Sequence, residues 1–113
     1  MPHGELRIWS DNWDGNPVVG AEGEVDLSSV DQLRSAASQA VRQQPDTLIF
    51  DFRKVTFIDS SGLGILVATR KQLRNSPDAV IVVTDQPAVI QSLQLTGLDR
   101  VVRVLKEPAA VTT

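Results

Sequence analysis

The chain has no cysteine among its 113 residues, which removes disulfides, thiolate nucleophiles, redox switching and thiolate metal sites together. It has one histidine, His3, in a polar N-terminal stretch, so no serine has an evident general base of the triad type. Without a histidine cluster, scattered aspartates make no convincing metal site. The phosphate-cradling pattern of spaced glycines followed by Lys and Ser or Thr is also missing. Catalysis is therefore not expected, and neither is a cofactor or a bound metal. No segment approaches the ~20 consecutive apolar residues of a membrane span. Met1 to Gly15 lacks a basic region followed by an apolar run, and a cytoplasmic protein is the simplest expectation. An excess of basic charge is absent too: eleven Lys and Arg against fourteen Asp and Glu give a net charge of -3. Neither nucleic acid nor an anionic membrane surface is an expected partner.

What the chain does have is ordinary globular usage, 42% hydrophobic and 22% charged residues, with no long polar tract. A chain of this length buries roughly 65% of its unfolded surface, enough for one core and not two. The expectation is a single domain over residues 1–113, its core running from about residue 5 to 105 and its termini loose.

Glu5 to Ser10 alternates like a half-buried strand, and Asp14-Gly15-Asn16-Pro17 reads as a turn into a second arm, Val18 to Val25. Gly20 and Gly23 weaken regular pairing there. Ser28 precedes Val30, Leu33, Ala37, Ala40 and Val41, the spacing of an amphipathic helix, with Asp31 placed as a capping-box acid and Pro45 beyond its end. Thr47 to Phe52 is a short apolar run that predicts a strand covered on both faces. After Val55, Phe57 and Ile58 comes the break Asp59-Ser60-Ser61-Gly62. Leu63, Leu66, Val67, Arg70, Leu73 and Arg74 then repeat at helical spacing. Ala79 to Thr84 predicts another buried strand, and Asp85 an N-cap for a helix with Pro87 in its first turn and Gly97 at its end. Val101 to Leu105 is a last short strand. Strands alternating with helices predict an α/β domain: a four- to five-stranded, mainly parallel sheet with an antiparallel first strand, packed with helices.

The informative segment is Phe57 to Gly64, where a strand end passes through two hydroxyls into a helix start. Physics alone favours a plain reading, a well-capped helix, because Asp and Ser oxygens accept from free N–H groups there. The string Asp59-Ser60-Ser61-Gly62-Leu63-Gly64, however, resembles the signature of the STAS domain of bacterial anti-sigma-factor antagonists. Gly23-Glu24-Val25-Asp26 and Leu95-Thr96-Gly97-Leu98 match in the expected order, and the resemblance spans roughly residues 18 to 105.

The resemblance implies a binding protein whose hydroxyl residue after the Asp, here Ser60, accepts phosphate from a partner that is both anti-sigma factor and serine kinase. The unphosphorylated form binds that partner and frees the sigma factor; the phosphorylated form lets go until a serine phosphatase restores it. Asp26 and Asp59 match acidic positions flanking the phosphorylation site, and the expected partner-binding residues are Asp26, Ser28, Asp59, Ser60, Ser61 and Gly62. Members of the family also serve as subunits of lipid-transport, stress-sensing or nucleotide-binding regulatory assemblies, which is the alternative role. The chain departs from the family at Asn75-Ser76-Pro77-Asp78, where many members turn on glycine. It departs again at Lys106-Glu107-Pro108, which leaves little room for a closing helix. Trp9 and Trp13 in the first hairpin are unusual as well, and read as core and turn-packing residues before a ligand platform.

Overall fold

A computed structural model of the chain describes residues 5–73 and 78–112. The readings placed on His3, Arg74 and the turn residues Asn75, Ser76 and Pro77 lie outside the described residues. The hairpin is formed by β1 (Arg7–Trp13) and β2 (Asn16–Val25). It closes on two residues, Asp14 and Gly15, both at positive φ (53° and 88°). This is the backbone that a tight hairpin requires if its twist is to match that of the strands. Asn16 and Pro17, expected in the turn, are instead the first residues of β2, paired with Trp13 and Asn12.

The remaining elements are α1 (Val30–Val41), β3 (Leu48–Ile58), α2 (Ser60–Gln72), β4 (Val80–Val83), α3 (Pro87–Leu95) and β5 (Arg103–Leu105). Two 3-10 turns, Leu98–Arg100 and Pro108–Thr112, flank β5. The five strands lie in chain order in one sheet, β1 antiparallel to β2 and all other pairs parallel. This is the α/β architecture expected from the alternation of elements.

β3 is longer than the expected strand and is the axis of the sheet. Its residues from Leu48 to Phe52 are buried on both faces. Leu48, Phe50 and Phe52 point to a core shared with Leu33 of α1, Leu66 of α2 and Val89 and Leu93 of α3. Ile49 faces the other way, into a smaller cluster with Val18, Ile81 and Val83. All three helices therefore cover one face of the sheet. The second face is covered by Trp13, Leu105 and Val111. The tail, expected to be loose, thus ends in a 3-10 turn whose Val111 packs on the sheet.

The tryptophans belong to this helix-free face, where Trp13, at the hairpin turn, packs against the smaller hydrophobic cluster. A Cβ at Gly20 would fall 2.0 Å from Cε2 of Trp9, so the indole lies flat across a position that only glycine leaves open. The Arg53 guanidinium stacks 5.7 Å from the ring centre of Trp13 and makes a two-pronged pair with buried Asp51, at 2.9 Å for each contact. Burial of Asp51 is tolerated because both its oxygens meet that fork.

Two helix starts differ from expectation. α3 is capped by Gln86, not Asp85: the residue before Pro87 is held in the extended region, so the helix begins at the proline itself. Thr84 Oγ1 accepts from the Gln86 N–H at 3.1 Å. α1 begins after Ser29, not Ser28, and no capping box forms. Asp31 pairs instead with Arg34, one turn along.

Two glycines of α2 are tightly distinguished by their surroundings. At Gly62 a Cβ would meet Val25 Cγ1 at 2.6 Å and Ile58 Cγ1 at 2.7 Å, both buried side chains, whereas at Gly64 it would meet nothing within 4 Å. Gly62→Ala is expected to destabilise the protein by about 1–3 kcal/mol through overpacking. Gly64→Ala is expected to stabilise it by about 0.5–1 kcal/mol by restricting the unfolded chain. Chemical denaturation of the two variants checks the opposite signs.

Candidate functional site

The end of β3 and the end of β2 lie side by side, with Val25 paired to Ile58. The Asp59 N–H donates to the Val25 carbonyl at 3.0 Å. Beyond this bond the two chains diverge, one into α2 and the other into the loop before α1. Each loop is organised by one carboxylate.

Asp59 has extended backbone and caps α2. Its Oδ1 accepts from the Ser61 N–H at 2.9 Å and the Gly62 N–H at 3.3 Å. It accepts from the Ser61 hydroxyl as well. Burial raises the affinity of this carboxyl for a proton, but the Ser61 hydroxyl and the amides of Gly62, Ser61 and Leu27 outweigh it and hold the group below the usual carboxylate range.

Asp26 builds the second loop in the same way. Its Oδ1 accepts from the Ser28 hydroxyl at 2.6 Å and from the amides of Ser28 and Ser29 at 3.0 and 3.2 Å. The Ser28 hydroxyl, with these amides, keeps Asp26 below the usual range against the opposing effect of burial. Ser29 locks the turn from the other side: its hydroxyl donates to the Glu24 carbonyl at 2.8 Å and accepts from the Asp26 N–H at 3.0 Å. Committed to the strand end, it makes no side-chain cap for α1.

The structure thus brings Asp26, Ser28, Asp59, Ser60, Ser61 and Gly62 to one end of the sheet, and gives them different tasks. Ser28 and Ser61 spend their hydroxyls on Asp26 and Asp59. Gly62 supplies the close approach of α2 to the strand ends. Ser60, the first residue of α2, is exposed, and its hydroxyl makes no hydrogen bond among the described residues. The task of Ser29 is not visible in the sequence, where it stands among adjacent hydroxyls with no signal to separate them.

No group of three or more His, Cys, Asp or Glu that could hold a metal occurs among the described residues. No helix among them is long and apolar enough to cross a membrane. A groove of about 660 Å³ lies on the helix-free face, lined by Trp9, Trp13, Asp51 and Arg53 among others.

Because both carboxyls hold their protons less tightly when folded, their contribution is present above the unfolded value of 3.8 and disappears as pH falls through the lower folded values. Asp59→Ala removes the cap and is expected to cost about 1 kcal/mol at neutral pH. The variant is also expected to lose less stability than wild type on acidification from about pH 5 to pH 2, since one linked proton is gone. Denaturation midpoints measured at several pH values check both outcomes.

The STAS domain profile matches residues 12–110. The anti-sigma-F factor antagonist RsfB of Mycobacterium tuberculosis is 33% identical over 94 residues, covering 80% of this chain and 73% of RsfB. The crystal structure of an anti-sigma factor antagonist from Mycobacterium paratuberculosis superposes with a TM-score of 0.89 at 29% identity, covering 99% and 94% of the two chains. The anti-sigma factor antagonist SpoIIAA superposes in its unphosphorylated form with a TM-score of 0.75 at 26% identity, covering 93% of each chain. Its phosphorylated form, from Bacillus, gives 0.68 at 25% identity, covering 94% of this chain and 97% of that one. The signature at Asp59 to Gly64, the sheet order and a profile that runs from the end of β1 through β5 have one reading: this chain belongs to the STAS domain family.

Proposed function

We propose that the protein is an anti-sigma-factor antagonist of the cytoplasm, switched by phosphorylation of Ser60. Unphosphorylated, it binds an anti-sigma factor that is also a serine kinase and so releases the sigma factor. Phosphorylated, it dissociates, and a serine phosphatase returns it to the binding form. The observation that carries this reading is the division of labour between adjacent hydroxyls: Ser61 is bound to Asp59, whereas Ser60 is exposed and uncommitted. The names of its relatives support the same role.

The local chemistry suits a switch that leaves the fold alone. A phosphoryl group adds about -1.5 to -2 charges and three acceptor oxygens, and the first turn of a helix accommodates them. In a complex the same group must lose water close to Asp59, and to Asp26 across the paired strand ends, both held ionised. A penalty of about 3 kcal/mol, modest for a buried charge, weakens binding more than a hundredfold at ~1.4 kcal/mol per decade.

The test is reconstitution with each anti-sigma kinase of the source genome. With ATP, the cognate kinase is expected to label Ser60 and to leave Ser60→Ala unlabelled, while Ser60→Ala still binds. Phosphate mapped to Ser61, or full labelling of Ser60→Ala, overturns the assignment. Ser60→Asp is expected to bind more weakly than wild type, although less so than the phosphorylated protein. Its melting temperature should be unchanged within a few degrees, because an acid at a helix N-terminus is worth about 0.3–1 kcal/mol in favour of the monomer.

A further inference from the structure

Leu27 is 79% exposed, among the most exposed large apolar side chains of the described residues. Its position is not that of a slack loop tip. The residue before it, Asp26, is fastened by the hydroxyls and amides of the two residues after it, Ser28 and Ser29. The backbone is therefore fixed on both sides of Leu27 while the isobutyl group is left in water. No packing among the described residues accounts for that arrangement, since the side chain contributes almost nothing to the core.

Its surroundings are predominantly acidic. From residue 24 to 31 and from 59 to 64 the charged side chains are Glu24, Asp26, Asp31 and Asp59, of which Asp31 is paired with Arg34. A second exposed apolar side chain, Phe57 at 45%, lies two residues before Asp59 on β3. An apolar side chain on a fastened turn beside Asp26, at the same end of the sheet as Asp59 and Ser60, has the make-up of an interface anchor: a desolvated apolar centre within a charged rim. A rigid anchor loses little conformational freedom on binding.

Resting on the antagonist reading above, we propose that Leu27 is the apolar anchor of the partner interface. The anti-sigma factor receives it in a hydrophobic pocket rimmed by Lys or Arg side chains that face Asp26 and Asp59. The anchor and the phosphate site then share one footprint, so a charge added at Ser60 falls at the border of the pocket.

The experiment is calorimetric titration of the full chain into the cognate anti-sigma factor, the one whose kinase activity labels Ser60. Leu27→Ala is expected to weaken binding about 10- to 100-fold, the effect of losing most of a buried leucine. Leu27→Met should bind within about threefold of wild type, because a volume-conserving swap retains the apolar contact. Leu95→Ala is the matched control, also 79% exposed but at the far end of α3, and should leave affinity unchanged. All three should melt like wild type, since neither leucine is packed. Wild-type affinity in Leu27→Ala, with Ser60→Asp still impaired, would overturn the anchor and leave the antagonist reading standing. An equal loss in Leu95→Ala would overturn it as well, by removing its specificity. Failure of wild type to bind any anti-sigma factor of its genome would take down both.

Discussion

The carboxylate of Asp59 is the constraint on which the rest of this end of the molecule depends. It neutralises the first free amides of α2 and holds the hydroxyl of Ser61, while the N–H of the same residue ties it to the end of β2 through the Val25 carbonyl. One residue therefore sets the start of a helix, the join to the neighbouring strand end and the fate of one of two adjacent serines. Packing reinforces it from below: Gly62 lets the helix descend onto Val25 and Ile58, which brings the amides within reach of the acid. The parallel pairing of β2 with β3 places both loops at the same edge, as parallel strands do with whatever follows their C-terminal ends.

Much of this was legible in the chain. The break at Asp59 to Gly62, the helix after it and the covered strand at Leu48 to Phe52 stand where periodicity and capping chemistry put them. The errors fall at boundaries, and each has a local cause. Asp85 is a good capping residue by type, but the restriction that Pro87 imposes on Gln86 decides where α3 starts. Ser28 and Ser29 are indistinguishable by propensity; only the carbonyl of Glu24, brought near by the strand end, selects which hydroxyl is spent where. Trp9 and Trp13 lie on the face away from the helices because Leu6 and Ile8 take the inward positions of the first arm, and of the two only Trp13 packs on the second cluster. The pair of Asp51 and Arg53 escaped notice since an acid inside an apolar run betrays nothing of the cation two residues along the same face.

Residues with the same identity do opposite things in this small surface, and composition alone cannot separate them. Asp26 and Asp59 are both ionised organisers of backbone, whereas Asp31 is a surface ion-pair partner of Arg34. Gly62 is required by close packing and Gly64, two residues on, is not. Of the serines, three are committed to local hydrogen bonds and one stands open to solvent. The functional distinction resides in which polar groups already have a partner, and that is a property of the assembled strand ends.

The placement of the two tryptophans has an optical consequence. The chain has no tyrosine, so its near-ultraviolet absorption and emission come chiefly from Trp9 and Trp13, both on the helix-free face. Trp9 lies across Gly20 of β2, while Trp13 lies beside Arg53 and the cluster that Val111 joins. Its intrinsic fluorescence is thus a gauge of the hairpin and of the packed tail. Chemistry at the first turn of α2, on the opposite side of the sheet, reaches neither indole directly and is read better by a label placed on that side.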